Sequence, residues 1–498
     1  MLRDSAIYLL IAVFLISGVF LIKTYPPIHL GVHLNAGDEF IMVDEAKGSD
    51  ESPIKPRLYF AFLNGFMKML RAEGIDEIFA GRALSLLLAS LSLYLLYLIG
   101  ILVSDKKTGF ISSLFLLVAF PFFWQSRIAR PEMLSIVFIL WSFCLIIYSK
   151  QTENKRFIFY GAFISTLSVL IHPNNLQHII ALFVVFLFLY RFKPAQTAIY
   201  ILGLLIGFLI WFLISYLPSK GIQITTAIGE VPRVYNFPIF EKTIFSLLKE
   251  SIMRFPRDYF LDYFSLYKFY YHTLINPYYF AILALISTIC GLFSSKKGII
   301  SALLVFLVAS VFANYLFAQR LGYWHAVEYI PFVCLCMALG ITSIFERFNL
   351  KRFLPLAVLL VILPSLFDIS QSVLRFRGYS YERLIGRISS NLPKGSRVLG
   401  LPIFRYAFNE KDFQEVWFDI ERPYKNCPDF KGEIIRRNIE YILVDDGFDK
   451  YSLSCGDRYR EDIRRYLFTE TKVIGVLDGY PDSWGSEKTL SGVVIFKR

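Results

Sequence analysis

Long apolar stretches run through the first three quarters of this chain and restrict what it can fold into. A helix of about 20 mostly apolar residues is long enough to cross a lipid bilayer. Eleven segments approach that pattern, near residues 7–22, 83–103, 110–123, 133–148, 157–171, 176–190, 198–217, 277–294, 299–317, 326–344 and 354–369. Only 18% of all residues are charged, against about 25% in soluble domains. The sequence therefore predicts an α-helical polytopic membrane protein with eleven transmembrane helices.

The charges of the connecting loops predict how these spans are oriented. Lys and Arg are enriched in the cytoplasmic loops of membrane proteins. Five short basic loops fall on the same side as Arg3, at residues 105–107, 150–156, 191–193, 296–297 and 347–352. We therefore expect a multi-pass protein of the plasma membrane with its N-terminus inside, and with the long loops 23–82 and 218–276 and the C-terminal segment outside. This topology explains the formal net charge of +12, and we expect no nucleic-acid partner.

The first span is predicted to remain in the protein, because no small-x-small cleavage site precedes Lys23. Each long external loop also contains a predicted amphipathic helix. The apolar face of residues 56–75 consists of Leu58, Phe62, Phe66, Met69 and Leu70, and that of residues 241–265 of Phe245, Leu248, Ile252, Phe255, Phe260 and Phe264. Such helices can lie in the membrane interface. Alternatively they pack on the helical bundle, and the sequence leaves both placements open.

The chain changes character after residue 375, and we place a domain boundary there. Apolar runs shorten to strand length at residues 397–401, 415–418, 441–444, 473–477 and 492–496, with charged helical stretches at 431–438 and 457–467. Alternating strands and helices are typical of α/β domains. We therefore predict a transmembrane module over residues 1–375 and a soluble extracytoplasmic α/β domain over 376–498. Cys427 and Cys455 fall in its loops, where an oxidising exterior permits a disulfide, with free thiols as the alternative.

Polar and charged side chains collect at the predicted outer ends of the spans. They are Asp38, Glu39, Asp44, Glu45 and Lys55 after the first span, Arg82 at the second, Arg127, Arg130 and Glu132 before the fourth, His172 and Asn174 before the sixth, and Arg320, Tyr323, Trp324, His325 and Glu328 near the tenth. Ionisable groups near membrane depth are costly and usually face a protein cavity. Acids and cations on one side of a membrane suit a reaction that involves an anionic group and a proton acceptor.

Several of these residues have purely structural alternatives. His172 could cap the sixth span, with Asn174 at the N-cap position. The two arginines before the fourth span could anchor helix ends among lipid headgroups. The acidic pairs Asp38-Glu39 and Asp44-Glu45 could each be solvated, and the sequence leaves open which pair is catalytic.

The order of these motifs resembles the polytopic GT-C glycosyltransferases, specifically the group of protein O-mannosyltransferases and aminoarabinose transferases. That group has an Asp-Glu in the first external loop, a His/Lys-Pro-Pro-Leu turn, an Arg opening the second span, a Ser-Arg-x-Ala-Arg-x-Asp segment and a late Tyr-x-x-x-x-Pro segment. Within residues 1–345 this chain has Asp38-Glu39, Lys55-Pro56-Arg57-Leu58, Arg82, Ser126-Arg127-Ile128-Ala129-Arg130-Pro131-Glu132 and Trp324 to Pro331. Arg57 replaces a Pro of the pattern, and Glu132 replaces its Asp.

The resemblance implies a GT-C fold and transfer of a sugar from a polyprenyl-phosphate donor to a protein, lipid or glycan acceptor on the extracytoplasmic face. Such a transfer requires a base near the acceptor hydroxyl and cations near the departing phosphate. We assign Asp38 as the base, with Glu39 or Glu132 as an orienting or secondary catalytic acid. The predicted donor-phosphate contacts are Lys55, Arg82, Arg127, Arg130 and Arg320, and the other predicted site-lining residues are Glu132, His172, Asn174, Tyr323, Trp324 and His325. A single direct displacement would invert the anomeric centre.

We expect neither a metal nor a cofactor. No ligand spacing in the sequence argues for a metal, and the resembled transferases generally work without an obligatory one. The alternative function of a different class is a secondary transporter, or a flippase-like carrier of a lipid or small polar solute. Few charges within the spans and the lack of an inverted repeat in the sequence argue against a transporter. A non-catalytic envelope or assembly protein is the third alternative.

Overall fold

Helices account for most of the architecture of this chain. The computed structural model describes residues 2–24, 39, 42–44, 46–47, 57–172, 175–216, 276–294, 296–317, 325–375, 381–408, 412–415, 429–444, 448, 457–480 and 491–498. The predicted amphipathic helix 241–265, Cys427 and Cys455 lie outside these residues. The described cysteines, Cys144, Cys290, Cys334 and Cys336, carry free thiols.

Helical structure overlaps all eleven segments predicted to be spans. The helices are α1 (Leu2–Thr24), α2 (Arg57–Leu70), α3 (Ile75–Val103), α4 (Lys106–Val118), α5 (Phe120–Gln125), α6 (Glu132–Thr152), α7 (Arg156–Leu167), α8 (Leu176–Tyr190), α9 (Pro194–Trp211), α10 (Asn276–Leu292), α11 (Lys297–Phe317), α12 (Ile330–Arg347) and α13 (Leu354–Arg375). Among the described residues six helices are long and apolar enough to cross a membrane, and four shorter helices are apolar. The fold class is therefore confirmed, while the number of crossings stays a prediction.

The bundle, formed by α1 and α3–α13, is held together by helix pairs. Helix α9 packs on α7, α11 on α8, α10 on α12, and α3 on both α4 and α6. Small residues permit the closest approaches. At Gly340 a Cβ atom would lie only 1.9 Å from the backbone oxygen of Ser287, so α10 and α12 can touch only because this position has no side chain.

The predicted span 110–123 is not one continuous helix, because the backbone breaks at Ala119. This residue has φ −65° and ψ 113°, between the end of α4 and the start of α5. Pro121 explains the break. In a continuous helix it could not donate to the carbonyl four residues earlier, and its ring would clash with that carbonyl.

The amphipathic helix predicted over residues 56–75 forms as α2, but it buries a different face. Its buried side chains are Tyr59, Leu63 and Met67, one helical turn apart. The predicted face is left partly exposed, with Phe62, Met69 and Leu70 between 46% and 68% accessible. Helix α2 packs on α3 and leaves the predicted face as a partly exposed apolar surface. Packing on the bundle, one of the two placements that the sequence left open, is therefore observed, and a place in the membrane interface stays a prediction.

The C-terminal part contains a five-stranded mixed sheet with helices α14 (Tyr381–Ser390), α15 (Phe430–Arg436) and α16 (Asp457–Glu470). Its strands are β1 (Val398–Gly400), β2 (Phe413–Glu415), β3 (Tyr441–Val444), β4 (Lys472–Tyr480) and β5 (Ser491–Lys497), in the order β2-β1-β3-β5-β4. The first three strands are parallel, and β5 pairs antiparallel with β3 and β4. This confirms the α/β character. The boundary between residues 375 and 376 stays a prediction.

Candidate functional site

A buried ion pair joins the first loop, predicted to be external, to the second predicted span. Arg82, near the start of α3, donates from Nε to Glu39 Oε1 over 2.8 Å and from Nη2 to Glu39 Oε2 over 2.9 Å. Its Nη1 donates to the carbonyl of Ile22 at the end of α1 over 2.9 Å. Arg82 is 0% and Glu39 2% exposed. All three guanidinium nitrogens are thus engaged within the protein, which gives both side chains a structural role.

Glu39 also holds the loop between α5 and α6. The backbone N–H of Ala129 donates to Glu39 Oε1 over 3.0 Å, across 90 residues of sequence. The approach is close because α3 has a glycine here. A Cβ atom at Gly81 would lie 2.6 Å from the Cβ of Ala129. The carboxylate of Glu39 therefore joins the loop after α1 to α3 and to the Ser126–Glu132 segment.

The charged residues of that segment are buried and near each other. Arg130 contacts Glu132 through Nη2–Oε1 at 2.8 Å and Nε–Oε1 at 3.1 Å. Arg127 donates to Ser126 Oγ over 2.8 Å and lies over the ring of Phe123, with the guanidinium carbon 3.8 Å from the ring centroid. Arg127, Arg130 and Glu132 are 1%, 7% and 1% exposed. These side chains do not reach outward as headgroup anchors would; they are part of the packed interior.

Tyr59 on α2 belongs to the same cluster, and sequence reasoning missed it. The ring is fully buried. Burial, followed by the nearby carboxylates of Glu132 and Glu39, raises the pKa of Tyr59 well above its usual value. The phenol is thus neutral and lies beside both acids. Its sequence signal was the spacing of Tyr59, Leu63 and Met67, which marks the buried face of α2.

A second buried pair joins α8 to the turn before α12. His178 Nε2 and Glu328 Oε2 are 2.7 Å apart, although 150 residues separate them in the sequence. The imidazole stacks on Phe306 of α11, with ring centroids 6.1 Å apart. Both side chains are almost completely buried. His178 was not among the predicted site residues. The signal available was an ionisable residue inside an otherwise apolar helix.

The start of α8 differs from the predicted capping arrangement. The residue at the N-cap position is Asn175, and its side chain makes no capping hydrogen bond. Instead its Nδ2 donates to Ser135 Oγ over 2.9 Å and to the carbonyl of Ser168 over 2.8 Å. Asn175 therefore ties α8 to α6 and to the end of the fifth predicted span. His172 is half-buried just before it.

In the alternative acidic pair, Asp44-Glu45, the first residue contacts the C-terminal domain. Asp44 Oδ2 forms an ion pair with Arg405 Nη1, from the short 3-10 helix Pro402–Ala407. Nearby, Lys47 forms an ion pair with Glu77 in the first turn of α3. The contact with Arg405 gives Asp44 a structural role, while Glu45 lies outside the described residues.

The remaining predicted site residues lie mostly beyond the described part of the chain. Asp38, Lys55, Asn174, Arg320, Tyr323 and Trp324 are outside it. His325 begins the 3-10 turn His325–Glu328. The structure thus brings together five predicted residues, namely Glu39, Arg82, Arg127, Arg130 and Glu132. The catalytic and phosphate-binding roles given to them stay predictions.

Within the described residues, no three His, Cys, Asp or Glu side chains group as metal ligands would. The cluster instead combines two carboxylates, three guanidinium groups and a neutral phenol in a buried setting. In such a setting charge–charge interactions are stronger than in water. The arrangement can hold an anionic group and position a neighbouring carboxylate as a proton acceptor.

By sequence, the chain matches no family model and no curated protein. Its fold matches solved structures at low sequence identity. ArnT from Cupriavidus metallidurans bound to undecaprenyl phosphate matches with a TM-score of 0.58 at 10% identity, covering 98% of this chain and 97% of that chain. The same protein in the apo state matches with a TM-score of 0.57 at 9% identity, covering 100% and 98%.

An archaeal enzyme shares the architecture as well. The Archaeoglobus fulgidus oligosaccharyltransferase in the apo form matches with a TM-score of 0.53 at 10% identity, over 92% of this chain and 72% of that chain. The protein therefore has the fold of the GT-C membrane glycosyltransferases.

Proposed function

We propose that this protein is a membrane glycosyltransferase that moves a sugar from a polyprenyl-phosphate donor to an acceptor hydroxyl on the extracytoplasmic face of the plasma membrane. The observation that carries the proposal is the contact of Glu39 with both Arg82 and the Ala129 N–H. It joins the first external loop to the segment that holds Arg127 and Arg130. Asp38 directly precedes the anchored residue Glu39 in the sequence.

The proposed reaction is a direct displacement. The carboxylate of Asp38 takes the proton of the acceptor hydroxyl while that oxygen attacks the anomeric carbon. The bond between the anomeric carbon and the phosphate oxygen breaks, and the lipid phosphate leaves with the bonding electron pair. The leaving group is a stable anion, so the reaction needs no general acid at the bridging oxygen.

Cations next to the departing phosphate stabilise its charge in the transition state. Arg127 and Arg130 are the described candidates, and Lys55 and Arg320 are candidates outside the described residues. Arg82 is engaged by Glu39 and Ile22, which favours a supporting role for it over the predicted phosphate contact. Glu39 is likewise favoured as the anchor of the loop, with Asp38 as the base.

The solved relatives in fold support this choice of donor. The ArnT structure contains undecaprenyl phosphate, and a second Archaeoglobus fulgidus structure contains the oligosaccharyltransferase with an inhibitory peptide and a dolichol-phosphate. Both ligands are polyprenyl phosphates. We infer a donor of the same chemical class for this chain, with a protein, lipid or glycan acceptor.

The proposal is tested with purified protein in lipid vesicles, supplied with radiolabelled polyprenyl-phosphate sugars and a membrane extract as acceptor. We expect Asp38→Asn to lower turnover by about 100- to 10,000-fold, the usual contribution of a general base, while donor binding persists. Asp76→Asn is the matched control, because Asp76 is an exposed carboxylate at the start of α3. No transfer with any donor by folded wild-type protein would refute the proposal, and retention of configuration would refute the single displacement.

Sidedness is tested separately with single cysteines in a cysteine-free background. Asp76 and Lys155 are both exposed but are predicted on opposite faces. A membrane-impermeant thiol reagent should label Asp76→Cys in intact cells and Lys155→Cys only after permeabilisation. The reverse pattern would place the cluster in the cytoplasm and contradict the proposed face.

A further inference from the structure

The C-terminal domain contacts the first loop beside the candidate site through a specific ion pair. Arg405 Nη1 and Asp44 Oδ2 are in direct contact, across 361 residues of sequence. Their side chains are 22% and 27% exposed. Arg405 lies on the 3-10 helix Pro402–Ala407, which directly follows β1 at its carboxyl end. The sheet of the C-terminal domain therefore determines where this arginine is held.

Tyr406 extends the same contact. Burial, followed by the Glu77 and Asp44 carboxylates, raises the pKa of Tyr406 well above its usual value. The phenol is consequently neutral and lies among acids of the first loop and of α3. The neighbouring Phe404 is fully buried, which anchors the 3-10 helix on its own domain. The contact is thus a built interface in which one side belongs to the C-terminal domain.

The other side of this contact is the loop that carries the proposed base. Asp44 ends a helical turn formed by residues 42–44, and the amides of Ala46 and Lys47 donate to the carbonyls of Met42 and Asp44 over 3.1 and 3.0 Å. Val43 in that turn is fully buried, 3.4 Å from the position of a Cβ at Gly81. The turn thus rests on α3 one residue before Arg82, which holds Glu39.

We propose that Arg405 is a positioning residue, through which the C-terminal domain holds the first external loop, and with it Asp38 and Glu39, in the arrangement needed for sugar transfer. The role in transfer rests on the proposed function. Among the described residues, the loop is held by Arg82 at Glu39, by Glu77 at Lys47 and by Arg405 at Asp44. Of these three contacts, the one with Arg405 is made by the C-terminal domain. This assigns the domain a direct part in site geometry in addition to any part in acceptor binding.

The structural half of the proposal is tested by amide hydrogen exchange on the full-length protein. We expect Arg405→Ala to speed exchange at the hydrogen-bonded amides of Ala46 and Lys47 by about tenfold, because local protection reports the stability of the local contacts. Amides in the middle of α3 should not change. Arg436→Ala is the matched control, since Arg436 pairs with Glu433 inside the same domain and away from the loop. Unchanged exchange at residues 46–47 would overturn the proposal.

The catalytic half is tested by kinetics. A misplaced reacting group can cost up to about 100-fold in rate, so we expect Arg405→Ala to lower kcat about tenfold or more with the donor Kd unchanged. Arg405→Lys should retain most of the kcat, and the charge exchange of Arg405→Asp with Asp44→Arg should recover part of what each single variant loses. A raised donor Kd with normal kcat would overturn the positioning role.

The two proposals fail in different ways. If wild-type protein transferred no sugar from any donor, the proposed function would fall, while the exchange experiment would still decide whether Arg405 holds the loop. If wild type were active and Arg405→Ala freed the loop without lowering kcat, the function would stand and the positioning role would be refuted. If Arg405→Ala were not expressed, the charge-exchange variant would decide the question. Recovered expression and activity in that variant would support the ion pair, and failure to recover them would count against it.

Discussion

The predicted outer end of the helical bundle and the C-terminal domain both contain acid–base pairs, but they place them in opposite environments. In the bundle, Glu39–Arg82 and His178–Glu328 are almost entirely shielded from solvent. In the domain, the side chains of Lys431 and Glu470 are about half exposed, at 51% and 45%. The pair between Arg436 and Glu433 has one strongly exposed partner, with 61% of the arginine side chain accessible.

This difference decides what each pair contributes. A buried charge has lost its hydration, so removing its partner leaves a charge with nothing to compensate it. An exposed charge whose partner is removed is simply hydrated again. Pairs of similar geometry are therefore expected to respond very differently to the same substitution, and the following predictions test that contrast.

The largest effect is expected at Arg82. Arg82→Leu should lower the free energy of unfolding by about 3–5 kcal/mol, because Glu39 remains buried without its cation. The double variant Glu39→Leu with Arg82→Leu should be less damaging than the single one, since it leaves no buried charge. Unfolding in a denaturing-detergent titration measures both. A single variant as stable as wild type would contradict the role given to this pair.

His178 should show a smaller effect. The substitution His178→Phe keeps an aromatic ring against Phe306 but removes the hydrogen bond to Glu328. We expect a loss of about 1.5–3 kcal/mol in the free energy of unfolding, the usual range for a hydrogen bond to a charged group. The same titration measures it, and adding Glu328→Leu should restore part of the loss. An additive loss in the double variant would show that the two residues do not act as a pair.

At the exposed pair the effect should nearly vanish. Arg436→Ala is expected to change the free energy of unfolding by at most about 1 kcal/mol, as for most surface pairs. Arg437 also contacts Glu433, with Nε–Oε2 at 2.8 Å, so the carboxylate keeps one partner. A loss as large as that of Arg82→Leu, measured in the same way, would remove the contrast between the two regions.

The smallest effect should depend on pH. Hydrogen bonds from Arg436 and then Arg437 lower the pKa of Glu433 below its ordinary value of 4.5. The contribution of this carboxylate to stability is therefore fully present above that ordinary value and is lost as the pH falls through the lowered pKa of the folded state. The melting temperatures of wild type and Glu433→Gln should converge on acidification. A difference that grows as the pH falls would show the opposite sign.

Much of the fold was predictable because its signals are local. Apolar runs located helices at all eleven positions, and strand-length runs located four of the five described strands. The run predicted at 415–418 meets β2 only at Glu415. The break at Ala119 was also visible in principle, since Pro121 lies inside the predicted span, near its end. The buried face of α2 was harder to predict. Both of its faces are apolar, so the pattern could not show which one α3 would cover.

The site was predictable in part for the same reason. The acids and arginines at the outer ends of the spans were visible, and five of them lie together. His178 and Tyr59 were missed because each lies in an apolar stretch, and such a stretch predicts residues of the hydrophobic core and not of a site. Asn175, next to the predicted Asn174, shows that a one-residue shift at a helix end can replace a capping role by two contacts to other helices.

The sequence by itself determined the membrane class of this protein, the places of its helices and strands, and which charged residues are available near the bundle's ends. These properties depend on neighbours within a few turns of chain. Only the tertiary structure decided the partners: Glu39 with Arg82, His178 with Glu328, and Asp44 with Arg405. The sequence shows that burying each of these charges is costly. The group that compensates the charge lies 43, 150 or 361 residues away in the sequence, so only tertiary packing brings the two together.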